Sequence, residues 1–197
     1  MAYSTNQITA VILAGGQSTR VNGKNKGLLL LHKKPLIEHI LSAIENQVQH
    51  IIINTNSDLT FYQQYNHPVI EDDNQQFLGP LAGLRSCSPY ISSPIVITLP
   101  CDSPFIPADL VNRMLTELNN DENKLQVVNN GRQQNLFMMF HKNLLTSIDV
   151  YLKSGKRSVF GWIMLHNPNQ VNFIDKTHSF MNINTLEELA KAERDTA

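Results

Sequence analysis

Val11-Ile-Leu-Ala-Gly-Gly-Gln-Ser-Thr-Arg20, followed shortly by Lys24-Asn25-Lys26-Gly27, is the stretch whose reading decides the fold. A short apolar run stops at a glycine pair, and hydroxyls, an arginine and two lysines follow. Glycines let a backbone approach an anion closely, and the turn after them can aim N–H groups at it. Cations beside such a turn offset the charge that develops on a leaving pyrophosphate. A glycine pair alone also serves an ordinary tight turn, and a single exposed lysine is usually a solvated side chain. The combination points to polyphosphate. It is not a Walker A loop, because Gly23-Lys24 is followed by Asn25, and it lacks the GxGxxG dinucleotide fingerprint.

Working outward, Ile8 to Leu13 reads as a buried strand. Pro35 stands at a helix start, and Leu36, Ile37, Ile40, Leu41, Ile44 and Val48 recur at helical spacing, which predicts an amphipathic helix over 35–48. His50 to Asn54 is a second strand, a short helix is expected around Phe61 to Tyr65, and Val69-Ile70 is a short strand. Gly79-Pro80-Leu-Ala-Gly83 turns into a small helix over 82–89, and Ile95 to Leu99 is the next strand. Pro107 opens a helix carrying Leu110, Met114, Leu115 and Leu118. This alternation of strand and helix predicts a largely parallel sheet flanked by helices, a three-layer, Rossmann-like α/β fold.

After the polar loop 119–124 the pattern changes. Strands are expected over 125–128 and 136–140 with Asn129-Asn130-Gly131 as a hairpin turn, so an antiparallel element enters the C-terminal half. Residues 143–154 read as helical, 170–174 and 180–183 as extended, and Thr185-Leu-Glu-Glu188 as a capping box that starts the last helix. No repeat or linker interrupts the 197 residues, so a single domain is expected.

A net charge of -1 offers no global basic field for nucleic acid, so phosphate affinity must come from local clusters. Cys87 and Cys101 are too few and too far apart for a disulfide framework or a CxxC zinc site. The polar N-terminus lacks the basic and apolar regions of a signal peptide, and no run is long enough to span a membrane. A cytoplasmic protein without a membrane or nucleic-acid partner is therefore expected.

The polar residues at the strand ends carry the chemistry. Asp102, after Pro100-Cys101, falls at the C-terminal end of a central strand, where open α/β sheets bind ligands. A carboxylate there can hold Mg²⁺ together with phosphate oxygens; it can also simply cap the turn at Ser103-Pro104. Asp72, in Glu71-Asp72-Asp73, can accept hydrogen bonds from the amino and imino groups of a base or belong to a charged loop, and Asn54 can do similar work. The seven histidines form no HxxxH or HExxH pair, which argues against a zinc hydrolase, and His32, His39 and His50 read as surface or helix-edge residues. Cys101 reads as a small buried strand residue, and Phe137 to Phe140 as core. Trp162 is left open.

Taken together, Leu13-Ala-Gly-Gly-Gln-Ser-Thr-Arg20 with Lys26 resembles the signature of nucleotidyltransferases with the nucleotide-diphospho-sugar transferase fold. Asn54-Thr-Asn56, Ile70-Glu-Asp72, Gly79-Pro-Leu-Ala-Gly83, Leu99-Pro-Cys-Asp-Ser-Pro104 and Phe180-Met-Asn-Ile-Asn-Thr-Leu-Glu-Glu-Leu189 narrow the resemblance to the molybdenum cofactor guanylyltransferases (MobA-type). Such enzymes transfer GMP from GTP to the terminal phosphate of molybdopterin, giving the guanine dinucleotide and pyrophosphate. The resemblance implies that residues 1–118 form the GTP-binding half and 119–197 the molybdopterin side. Leu13, Ala14 and Gly15 would contact GTP through backbone. Lys26 and Arg20 would meet the phosphates, Asn54 and Asp72 the guanine and ribose, and Asp102 the Mg²⁺. Asn182 and Asn184 would face molybdopterin. It also implies cofactor biosynthesis proteins and molybdoenzyme chaperones as partners.

The chain departs from the family pattern Arg-Met-Gly-x-x-Asp-Lys, reading Arg20-Val-Asn-Gly-Lys-Asn-Lys26, so Asn25 stands where an acid is usual. Losing that acid would remove a partner of the lysine or of the loop. Arg132-Gln-Gln-Asn-Leu-Phe137 also lacks a usual proline. A related enzyme using CTP or another phosphorylated acceptor, and a non-catalytic nucleotide- or cofactor-binding protein, remain compatible with the residues.

Overall fold

In a computed structural model, residues 3–15, 25–73, 79–118, 121–176 and 178–196 are described. Arg20, with Gly16 and Lys24 of the glycine-rich loop, lies outside them.

The central strand β1 (Ile8–Leu13) is buried at every position, as its unbroken run of apolar residues and threonine requires. It is flanked by β4 (His50–Asn54) and β6 (Ile95–Pro100), and β5 (Val69–Ile70) pairs with β4, all parallel. A small hairpin of β2 (Leu30–Leu31) and β3 (Lys34–Pro35) stands apart. Beyond β6 come β7 (Leu125–Asn129), β8 (Gln133–His141) and β9 (Asn169–Asn172), giving the order β5-β4-β1-β6-β8-β7-β9. β8 pairs antiparallel with both neighbours, whereas β7 and β9 pair parallel. The mostly parallel sheet with an antiparallel element therefore stands.

Alternating side chains divide the core into two layers. Ile8, Ala10 and Ile12 face α1 (Leu36–Ile44) and α4 (Leu110–Leu118). Val11, Leu13 and Val96 face α3 (Pro80–Cys87), α5 (Leu145–Lys153) and α6 (Val159–Met164). Each fully buried isoleucine or leucine in these layers contributes about 1.5–3 kcal/mol by leaving water. A satellite cluster of Leu29, Leu31, Leu36, Ile183 and Ala192 ties α7 (Leu186–Asp195) to the small hairpin. A short α2 (Leu59–Gln63) completes the helices among the described residues.

Several sequence boundaries need correction. The helix expected over 35–48 ends at Ile44; Gln47 and Val48 continue in a turn, with the buried Gln47 side chain accepting from Val111 N and donating to Pro107 O. That bond caps α4, which starts at Leu110 rather than at Pro107. The small helix begins at Pro80 and gives way to a 3₁₀ turn at Ser88–Tyr90, and the one expected over 143–154 splits likewise into Lys142–Leu144 and α5. Residues 180–183 form no strand: Phe180 has φ 66° and tucks its ring edge-on against Phe137 and Phe173. Trp162, left open by sequence, is fully buried on α6, with its indole N–H donating to Ser147 Oγ. No helix of the described residues is long and apolar enough to cross a membrane.

Candidate active site

The parallel strands β1, β4 and β6 end side by side, and backbone bonds lock the ends together. Ala14 N donates to Asn54 O at 2.8 Å, and Cys101 N donates to Leu13 O at 3.2 Å. The strand order reverses around β1, with β4 on one side and β6 on the other. This is the switch point where open α/β sheets bind ligands. Leu13, Ala14, Gly15, Asn54 and Asp102 are therefore neighbours through the sheet itself.

On the β4 side a carboxylate is held by two amides. Asn54 Nδ2 donates to Asp72 Oδ1 at 2.9 Å, Asn56 Nδ2 donates to Asp72 Oδ2 at 2.8 Å, and Asp72 N donates back to Asn56 Oδ1. Asn54 is 3% exposed and also donates to Ile70 O. A carboxylate offers about four lone-pair sites, so Asp72 keeps acceptor capacity in a fixed direction, suited to adjacent N–H donors of a ligand. A glycine makes room. A Cβ at Gly83 would overlap the Asn54 carboxamide, lying 2.7 Å from its Cγ, whereas one at Gly15 would meet Asn54 Oδ1 at an ordinary contact distance of 3.4 Å. Gly83 thus belongs to the site through its missing side chain.

On the β6 side Lys26 Nζ donates to Asp102 Oδ2 at 3.1 Å and to Asn184 Oδ1 at 2.5 Å. The C-terminal segment is laid against Asp102 by its backbone, with Ile183 N donating to Asp102 O at 2.7 Å. Asn182 Oδ1 accepts from the buried Ser103 hydroxyl at 2.7 Å, which holds this segment in place. The Thr185–Glu188 capping box follows directly, and Glu188 also accepts from Asn184 N. Asn182 and Asn184 therefore join the β6 cluster, although their positions in the chain gave no hint of the contact with Lys26.

Among the described residues no group of three or more His, Cys, Asp or Glu side chains is placed to hold a metal. Magnesium does not need one, since it is usually bound by one or two carboxylates plus substrate phosphates and water. The partly accessible Asp102 carboxylate, side chain 14% exposed, fits that donor set. Cys101 is no nucleophile: burial, with the Asp102 charge second, pushes its thiol up to about 12.

Asn56 and Gly83 were missed as site residues although both lie in stretches that carried the resemblance. Only the pairing with Asp72 and the overlap with Asn54 reveal them.

Residues 10–168 match the family model described as the MobA-like NTP transferase domain. The chain is 40% identical over 182 residues to the molybdenum cofactor guanylyltransferase of Shewanella putrefaciens, covering 92% of this chain and 93% of the relative. It is 38% identical over 183 residues to that of Shewanella sediminis, with the same two coverages. Its fold is shared with a solved structure, the molybdopterin-guanine dinucleotide biosynthesis protein A of Archaeoglobus fulgidus. The TM-score is 0.74 at 19% identity, over 95% of this chain and 98% of that one. With the strand-end site on the sheet and a model match across most of its length, this chain belongs to the MobA-like NTP transferase family.

Proposed function

We propose that this protein is a molybdenum cofactor guanylyltransferase that moves GMP from GTP to molybdopterin phosphate, releasing pyrophosphate. The observation that carries the reading is the meeting of Lys26, Asp102 and Asn184 at one point, one strand across from the Asn54–Asp72 pair. A cation, a carboxylate and a carboxamide are thereby set one strand away from a carboxylate suited to the N–H donors of a base, an arrangement that supports transfer between two phosphates.

In this reading the first 118 residues form a single domain with the rest and carry the nucleotide. The backbone of Leu13, Ala14 and Gly15 lies along GTP, Asp72 accepts from the guanine edge, and Asn54 fixes Asp72. Lys26 binds phosphate oxygens and, with Arg20, offsets charge on the departing pyrophosphate. Asn182 and Asn184 line the molybdopterin side, supplied by residues 119–197. Asp102 would hold Mg²⁺, which when bound neutralises phosphate charge and orients the phosphates for in-line attack. The acceptor phosphate is already an anion, so no strong general base is needed. Positioning and charge neutralisation suffice. The reading carries with it a cytoplasmic setting and, as partners, cofactor biosynthesis proteins and molybdoenzyme chaperones.

The test is incubation of the purified protein with GTP, Mg²⁺ and molybdopterin on its acceptor protein. The guanine dinucleotide should form, and Asp102→Ala should abolish it. Tight GTP binding without product would leave only a nucleotide-binding protein. Tighter binding of CTP than of GTP would overturn the role given to Asn54 and Asp72.

A further inference from the structure

Asn25 stands where the resembled family pattern has an acid, and the structure shows what the amide does there. The carboxamide is 7% exposed and all four of its hydrogen-bonding sites are used. Oδ1 accepts from Gly27 N at 3.1 Å and from the Tyr62 hydroxyl at 2.9 Å. Nδ2 donates to Ser57 Oγ at 3.1 Å and to Asp58 Oδ2 at 3.2 Å. The amide orientation is not ambiguous. Gly27 N can only donate and a carboxylate can only accept, so oxygen must face the first and nitrogen the second.

These bonds fasten the turn that carries Lys26. Asn25 caps the 3₁₀ turn Lys26–Leu28 through its side chain and accepts from Leu28 N through its carbonyl. Gly27 has no side chain where a Cβ would overlap the Tyr62 hydroxyl, which is how Tyr62 reaches Asn25. Burial pushes the Tyr62 phenol far above its ordinary value, so it stays a donor. Asp58 sits in the left-handed region at φ 55°, a conformation that Asn and Asp tolerate better than most residues.

We propose that Asn25 is a positioning residue for Lys26, and that Asp58 is its hydrogen-bond complement. An acid at 25 would meet Asp58 with like charge, whereas the amide meets it as donor. The role rests on the proposed function, in which Lys26 binds the triphosphate.

Four full-length variants test it: Lys26→Ala, Asn25→Asp, Asp58→Asn and the double Asn25→Asp/Asp58→Asn. Dissociation constants are measured for GTP and for guanosine, which has no phosphate, alongside thermal midpoints. Asn25→Asp is isosteric and should weaken GTP roughly tenfold, equivalent to about 1.4 kcal/mol, with guanosine affinity unchanged. The double variant restores one donor and one acid across the contact and should return GTP affinity to within about threefold of wild type, a difference near the limit of such couplings. A double variant no better than Asn25→Asp overturns the proposal, as does equal loss of GTP and guanosine. If Lys26→Ala weakens GTP but Asn25→Asp does not, the positioning role fails while the proposed function stands. If Lys26→Ala leaves GTP affinity intact, the triphosphate role of Lys26 fails, and the positioning role falls with it.

Discussion

Gly83→Ala is the perturbation that best separates a site residue from an ordinary helix glycine. Gly83 lies inside α3, where alanine normally stabilises a helix by about 1 kcal/mol relative to glycine. Here the added Cβ would lie 2.7 Å from Asn54 Cγ and 3.2 Å from Asn54 Nδ2, so the carboxamide must turn away. Turning it breaks the bonds to Ile70 O and to Asp72 Oδ1. The first is worth about 1 kcal/mol and the second, to a charged acceptor, about 2. Set against the helix gain, the net loss is about 2 kcal/mol, or a fall in Tm of roughly 4–8 °C for a chain of this size. Urea unfolding reads the stability, and titration with GTP reads the site, which should weaken because Asp72 loses its Asn54 support. The decisive arm repeats the substitution in an Asn54→Ala background. With no carboxamide to displace, Gly83→Ala should there stabilise, reversing its sign. The same sign in both backgrounds, or a wild-type chain made more stable by Gly83→Ala, would refute the reasoning.

The remaining predictions concern thiols and one ion-pair network. Burial pushes the Cys87 and Cys101 thiols up to about 12, so neither should react with a thiolate-selective reagent at pH 8 until the chain is unfolded, as counting labelled thiols by mass would establish. Arg113 ties α4 to the segment after β9, pairing with Asp109 and Asp175 and lying 4.8 Å over the Phe173 ring. Its hydrogen bond to Asp175 holds that carboxyl below its ordinary value of 3.8, so the pair contributes stability above that pH and loses it as pH falls through the lowered value. Arg113→Ala should therefore destabilise at pH 7, and the gap to wild type should narrow in denaturation series taken below about pH 4, leaving the ring contact as the residue of the effect.

What could be read in advance was set by local chemistry. Ile8 to Leu13 and Ile95 to Leu99 are apolar on both faces, and only a strand covered on both sides buries them all, so the central sheet and its polar ends were legible. Asn54, Asp72 and Asp102 were singled out because each stands at a strand end or within two residues of one. The short helix α6 was not legible: six residues give too little periodicity, and Gly161 within it argues against helix. That glycine is there because a Cβ would overlap the Tyr151 hydroxyl, which donates to Ser158 O. The segment 180–183 misled because three apolar residues in four mimic a strand, whereas Phe180 turns through positive φ and packs between two rings. Asn25 looked like a loss because its partners at 57, 58 and 62 lie beyond any local pattern.

The contact between Lys26 and Asn184 also has a consequence in time. Its two halves are 158 residues apart in the chain, and the Asp102 that joins them stands 76 residues after the lysine. A ribosome adds about 5–20 residues per second, and a domain generally folds as a unit. Roughly 8–32 s therefore separate the making of the lysine from that of the carboxamide 158 residues later. The contact is completed only once residue 184 is made, so a chain stopped short of Asn184 would leave Lys26 and Asp102 without their carboxamide partner.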